Sequence, residues 1–147
     1  MAHQRSSLLF DLFAAGGQVK ELLRRAMGDS PLTADEYGVY SGVFEFEPIT
    51  PTDLALAVGM RPTTLSHYII DMRQRGHLHE PVNPQDGRSR LLSLTDSGRQ
   101  THRAANRTFE VAYLRFVSRI EDESAVKDAL LKVESAAREA AEDLGYA

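Results

Sequence analysis

The chain has 147 residues, of which 42% are hydrophobic and 26% charged, with a formal charge of −4 and no cysteine. This is the composition of one globular domain with a real core, and it excludes disulfides, thiolate metal sites and thiol redox sensing. No apolar run is long enough to span a bilayer, and "MAHQRSSLLF" has no apolar core with a small-residue cleavage site, so no membrane partner and a cytoplasmic location are expected.

Leu8, Leu12, Val19, Leu22, Leu23 and Ala26 recur at helical spacing and predict a first helix over about residues 6–27. Gly16–Gly17 interrupts it, because glycine weakens a helix interior, and marks either a bend or a close helix crossing. Gly28 and Pro31 end the element. Thr33 and Glu36 form a capping-box pattern that opens a second helix, to about residue 44. "EPITPTDL" breaks and restarts the chain: Thr50 caps, Pro51 fits the first helical position, and a short third helix runs to about Val58 before Gly59. "RPTTLSHYIIDMRQRG" predicts a fourth helix, about 62–75, between Pro62 and Gly76. Two helices across a short glycine-containing turn make a helix-turn-helix pattern.

After Gly76 the period changes. "HLHEPV" (77–82) and "LLSLT" (91–95) alternate, and "NPQDGRSR" (83–90) between them is rich in turn residues. This predicts a β-hairpin whose polar tip carries Arg88 and Arg90, with Asp86 and Gly87 making the turn. Thr95 and Asp96 open a long helix over about 96–119, and a last helix covers about 124–144. Its Val126, Leu130, Val133, Ala137, Ala140 and Leu144 share one stripe, widened by Ala129 and Ala136 into a small-residue seam.

The predicted fold is mainly α with a small β-hairpin wing: a winged helix-turn-helix with N- and C-terminal dimerisation helices. Residues 1–147 make a single domain. Its dimerisation lobe covers about 1–30 and 110–147, and its DNA-binding lobe about 31–100. The terminal helices have more apolar surface than so small a winged domain can cover. A second copy of the chain is the simplest partner, with Leu8, Leu12, Val126, Leu130, Val133, Ala137 and Leu144 at the interface.

Charge is unevenly placed. Residues 61–107 hold eight arginines against four acids, while residues 121–147 hold three bases against eight acids. A local basic face, not the total, is what meets phosphate. In the fourth helix Leu65, Ile69 and Met72 fall on one face, and Thr63, His67, Ile70 and Gln74 on the other, with Thr64 and Ser66 flanking its start and Arg61 just ahead of it. Hydroxyls, an imidazole and a branched aliphatic can read base edges and thymine methyls in the major groove. A hairpin beside that helix reaches the adjacent minor groove, where the negative potential of A·T-rich DNA attracts arginine.

Other chemistries are weaker. His77 and His79 are two apart on a predicted strand, and their rings are expected on one side, but no third metal ligand adjoins them; His3 and His102 would have to be recruited by the fold. No metal site and no cofactor are therefore assigned. No Gly-rich phosphate loop and no His-Glu-x-x-His occur, and adjacent Ser66 and His67 diverge on a helix, so no enzyme is expected.

Several of these stretches resemble the MarR family of bacterial transcription regulators. "DGRSRLLSLT" is similar to the family's wing pattern Asp-x-Arg-x-x-x-Leu-x-Leu-Thr at Asp86, Arg88, Leu92, Leu94 and Thr95. "LTDSGR" is similar to the start of its next helix. "DLALAVGMRPTTLSHYIIDMRQRG" resembles its helix-turn-helix, at Leu54, Ala55, Leu65 and Gly76 among others. The resemblance implies a homodimeric, ligand-responsive repressor on a pseudo-palindromic operator in double-stranded DNA. It implies that Arg88 enters the minor groove, that Asp86 braces the arginine side chain as wing support, and that Arg90 contacts phosphate or gives a second support. It also implies a small-molecule ligand, often aromatic or anionic, between the dimer base and the DNA-binding lobe. A metal-responsive winged-helix regulator and a winged-helix interaction module without DNA binding are the competing readings.

Overall fold

A computed structural model describes residues 7–145. They form two compact units that meet in sequence at Ala112 and Tyr113.

The first unit begins with α1 (Leu8–Ala26), which Ser7 caps through its hydroxyl. The interruption expected at Gly16–Gly17 is absent: α1 is continuous through both residues, and among the described residues nothing beyond the helix itself lies within 4 Å of a β-carbon placed on either, so no close helix crossing is made there. Two glycines lower helix stability without removing any backbone donor, so the ladder persists. α2 (Ala34–Phe46) opens with the expected capping box: Glu36 N–H donates to Thr33 Oγ1 at 3.2 Å, and Thr33 N–H to the Glu36 carboxylate at 3.0 Å. α3 (Pro51–Val58) is capped by Thr50 and stops at Gly59, whose φ of 67° is the left-handed conformation that glycine adopts without strain. α4 (Pro62–Gln74) follows after a turn of Gly59, Met60 and Arg61.

Val39, Tyr40 and Val43 of α2, Leu54 and Ala55 of α3, and Leu65, Ile69 and Met72 of α4 are buried together. The 3.6-residue period placed the α4 contributors correctly. Leu92 and Leu94, from the returning arm of the hairpin, and Ala105, after it, join this core.

The hairpin differs from the expected one. Instead of two strands around an eight-residue tip, there are two short antiparallel ladders. β1 (Leu78–His79) pairs with β4 (Ser93–Leu94), and β2 (Val82–Asn83) pairs with β3 (Asp86–Arg90). The turn is therefore at Pro84–Gln85, and Arg88 and Arg90 belong to the returning strand rather than to the tip. The cause is side-chain capture of backbone donors: Asn83 Oδ1 accepts from Gln85 N–H at 3.0 Å, and Asp86 Oδ1 from Arg88 N–H at 3.1 Å. The register jumps between Val82↔Arg90 and Asn83↔Asp86, leaving Gly87, Arg88 and Ser89 as a bulge. A further bridge joins Ile49, in the α2–α3 linker, to Leu92.

α5 (Asp96–Val117) starts under the junction of α4 and the hairpin. Thr95 fixes it there, accepting from Gly98 N–H and donating its hydroxyl to the Gly76 carbonyl at 2.7 Å. Gly98 is required by close approach, since a β-carbon would stand 2.5 Å from the His77 carbonyl oxygen.

The second unit holds the end of α5 and α6 (Glu123–Asp143), which Asp122 caps. Within it the Tyr113 hydroxyl donates to the Glu123 carboxylate at 2.7 Å, and Lys127 pairs with the same carboxylate at 3.0 Å. Among the described residues no helix is long and apolar enough to cross a membrane.

Candidate nucleic-acid interface

α4 is anchored on one side and bare on the other. Leu65 and Met72 are each 1% exposed, so the helix cannot rotate without emptying the core. Thr63, Thr64, Ser66, His67, Ile70 and Gln74 are all exposed, and Arg61 is exposed just before the first turn. Ile70 at 45% exposure is a large apolar side chain on an otherwise polar face. Ser66 is partly engaged, its hydroxyl donating to the Pro62 carbonyl at 2.8 Å.

Asp86, Gly87, Arg88 and Arg90 are exposed on the hairpin. Asp86 supports the bulge, but through the backbone N–H of Arg88; its carboxylate makes no ion pair with the guanidinium. Ser89 adds a second tie, accepting from Asn83 Nδ2 at 3.1 Å. The Arg88 backbone is thus held while its side chain remains unengaged.

The arginines divide into two groups. Arg73 makes a two-pronged contact with Glu80, both bonds 2.8 Å, and holds that carboxyl below its usual range. Arg75 bridges Glu36 and Asp71, each at 2.9 Å, and Arg99 pairs with Glu47. Among the described residues Arg61, Arg88, Arg90, Arg103, Arg107, Arg115 and Arg119 enter no salt bridge; of these, Arg61 immediately precedes the exposed face of α4, and Arg88 and Arg90 stand on β3.

The two histidines of the predicted strand are not brought together. His77 lies before β1, buried, with Nδ1 sharing a 2.6 Å hydrogen bond with the Tyr40 hydroxyl; His79 is exposed. Burial pushes the His77 pKa down, with Arg75 acting in the same direction against a weaker pull from Asp71. His102 is also buried, stacked against Tyr37 and Phe44, and its Nε2 meets the Ser41 hydroxyl at 3.0 Å. Among the described residues no group of three or more His, Cys, Asp or Glu is placed to hold a metal ion. His3 lies outside the described residues.

The proposed interface residues are exposed or half-exposed within the single chain. Leu8 is 67% exposed, Leu130 53% and Leu144 71%; Val126 and Ala137 are exposed as well, and Leu12 and Val133 are half-buried. α1 and α6 contribute no buried residue at all. Sequence reasoning missed Leu9, Phe10 and Phe13 on α1, the last 81% exposed, and Leu131 on α6. They flank the chosen stripes, although Leu9 and Phe13 are themselves four residues apart. It also missed Glu47, Gly98 and Arg99. A signal existed for the last two in "LTDSGR"; none existed for Glu47.

No family model matches the chain. An uncharacterised HTH-type transcriptional regulator of Mycobacterium bovis is 26% identical over 107 residues, 73% of this chain and 75% of the relative. One of Mycobacterium leprae matches to the same extent. Among solved structures, the M. tuberculosis transcriptional regulator MosR in complex with DNA superposes with a TM-score of 0.77 at 21% identity, over 92% of this chain and 98% of that one. CouR of Rhodococcus jostii RHA1, bound to p-coumaroyl-CoA, gives 0.74 at 22% identity over 90% and 92%. A MarR-family regulator of Rhodococcus sp. RHA1 gives 0.71 at 22% over 90% and 96%. The fold of this chain is therefore the mainly helical winged helix-turn-helix of these regulators.

Proposed function

We propose that the chain is a MarR-type transcription regulator: a cytoplasmic homodimer, not an enzyme, that binds double-stranded DNA as a ligand-responsive repressor. The observation that carries this is the exposed face of α4, held by a buried opposite face, together with exposed arginines before it and on the hairpin that are left outside the fold's ion pairs. Arg73, Arg75 and Arg99 are engaged within the fold. Arg61, just before the exposed face of α4, and Arg88 and Arg90, exposed on β3, enter no salt bridge among the described residues. The names of the mycobacterial relatives and the DNA complex of MosR support the same reading.

In this reading α4 lies in the major groove. Thr63, Thr64, Ser66 and His67 meet base edges, Ile70 meets a thymine methyl, and Gln74 lies further along the same face. Arg88 enters the adjacent minor groove, where a planar, weakly hydrated guanidinium is favoured over an ammonium. Arg61 and Arg90 neutralise phosphates. The apolar residues of α1 and α6 are covered by the second copy, which sets two reading heads about one helical turn apart. The ligand-bound CouR structure supports a small-molecule effector. Such an effector acts by favouring a wrong separation of the heads, and its effect is bounded by its differential affinity for the two states.

The test is selection of fragments from a random-sequence pool by the wild-type protein, followed by substitution of Arg88. A pseudo-palindrome is expected. Arg88→Ala should cost about 1–3 kcal/mol and flatten the dependence of log affinity on log salt by about 1 per hairpin engaged. Arg88→Lys should restore only part. Wild-type binding by Arg88→Ala would remove the hairpin from the interface, and failure to enrich any fragment would refute the reading itself.

A further inference from the structure

We propose that Glu47 and Arg99 are positioning residues that fix the angle of the β2–β3 hairpin against α4. The proposal rests on the DNA-binding reading above. Neither residue lies in the helix-turn-helix or in the hairpin. Glu47 follows the last residue of α2, and Arg99 is in the first turn of α5.

The hairpin needs such a support. Its ladders are very short, and β1 and β4 meet at only two residue pairs. A two-stranded ribbon of this size is marginal by itself. The α2–α3 linker supplies a third edge. Ile49 exchanges both main-chain bonds with Leu92, at 3.1 and 2.8 Å. Two residues along the same strand edge, Leu94 N–H has no main-chain acceptor in that linker; it donates instead to Glu47 Oε2 at 2.9 Å. Residues i and i+2 of a strand present their N–H groups to the same side, so the carboxylate continues the bridge that Ile49 begins.

The carboxylate is held in turn. Its other oxygen accepts from the Arg99 guanidinium, which lies over the Phe44 ring at 6.0 Å from the centroid. The Glu47 side chain is only 16% exposed, so the arginine matches a charge that water mostly cannot reach. The linker then runs directly into Thr50, the cap of α3. Helix pair and hairpin therefore share one fixed segment, residues 47–50. A protein that places α4 in one groove and Arg88 in the next requires that angle to be constant.

The experiment is a double-mutant cycle on the DNA fragment that the wild-type dimer itself selects from a random pool. Glu47→Ala and Arg88→Ala should each weaken binding on the order of tenfold. The double variant should be weakened by about the same factor, because a misaligned hairpin has already lost what Arg88 contributes. Combined with His67→Ala, by contrast, the loss from Glu47→Ala should multiply. Arg99→Gln, at a half-exposed position, is run through the same cycle and carries the test if thermal melting finds Glu47→Ala unfolded. Wild-type affinity in both Glu47→Ala and Arg99→Gln would overturn the proposal. So would losses that multiply with Arg88→Ala, since a general loss of structure acts alike in both backgrounds. A wild-type protein that selects no fragment would overturn the DNA-binding reading and this proposal together, whereas multiplying losses on a selected fragment remove only the positioning role.

Discussion

Gly98→Ala is the most informative single change for the fold, because two effects of known size oppose each other there. Alanine is favoured over glycine in a helix by about 1 kcal/mol. Against this, the new β-carbon would stand 2.5 Å from the His77 carbonyl oxygen and 3.2 Å from its Cα and Cβ. Two of these obstacles are backbone atoms, so no rotamer change relieves the contact. The carbonyl is also engaged, accepting from Thr95 N–H at 3.0 Å, and displacing it endangers that bond. Overpacking of this kind costs about 1–3 kcal/mol, and a weakened buried hydrogen bond about 1 more. The net expectation is a loss of roughly 1–3 kcal/mol. Gly38→Ala supplies the control within α2: its β-carbon meets nothing within 4 Å, so the same chemical change should stabilise by up to about 1 kcal/mol. Urea denaturation of both variants at one protein concentration measures the pair, the concentration being fixed because dimer stability depends on it. Shifts of the same sign, or a neutral Gly98→Ala, would refute the close packing of α5 against the α4–hairpin junction.

Leu130→Glu should convert the dimer into a monomer, and sedimentation of a folded wild-type monomer at micromolar concentration would refute the assignment of α6 to an interface. Thr64→Ala and His67→Ala should each weaken operator binding by about 1–3 kcal/mol and alter sequence preference, with an unchanged melting temperature because both side chains are exposed; wild-type binding by both would displace α4 from the groove. Stability should fall on mild acidification. His77 and His102 titrate below their ordinary 6.5 in the folded chain, chiefly through burial. Between that value and the folded ones the unfolded chain holds more protons, so the contribution is intact above the unfolded value and is lost as pH falls through the window. Urea midpoints at about pH 7.5 and 5.5 check this, with His102→Gln expected to flatten the dependence and equal wild-type midpoints refuting it.

What was legible in the sequence was local. The Thr33–Glu36 box, the Thr50–Pro51 start and the burial of Leu65, Ile69 and Met72 depend on residues three or four apart, and a periodic reading finds them. The hairpin register was not legible, because it is decided by which backbone donors Asn83 and Asp86 capture, and several captures suit the same string of turn residues. The interruption expected at Gly16–Gly17 failed for a related reason: propensity is a small bias that a continuous hydrogen-bond ladder overrides.

The contacts that unite the helix-turn-helix with the hairpin and α5 join residues far apart in the chain: Tyr40 with His77, Glu47 with Leu94 and Arg99, Ile49 with Leu92. Motifs mark some of the partners singly, as the wing pattern marks Leu92 and Leu94 and "LTDSGR" includes Arg99, but no composition or spacing says which residues they pair with. The exposed residues of α4 and β3 are the opposite case. Arg88, His67 and Thr64 are exposed and no hydrogen bond or salt bridge ties their side chains to the other described residues, so in the proposed reading their types and positions answer to DNA. Arg88 combines both situations. Its backbone is fixed by a long-range arrangement that the sequence hides, while its side chain is left unengaged at a position the wing motif displays. If that separation of roles is real, Arg88→Ala should lose DNA affinity without losing the hairpin, whereas Asp86→Ala, which removes the acceptor for the Arg88 N–H, should lose affinity by letting the bulge reorganise while the guanidinium is still present. Measuring both variants on one fragment, with the salt dependence of each, separates the two. Asp86→Ala should keep more of the salt slope than Arg88→Ala, because the charge remains near the phosphates. Identical slopes would mean that the bulge geometry adds nothing to where the arginine goes.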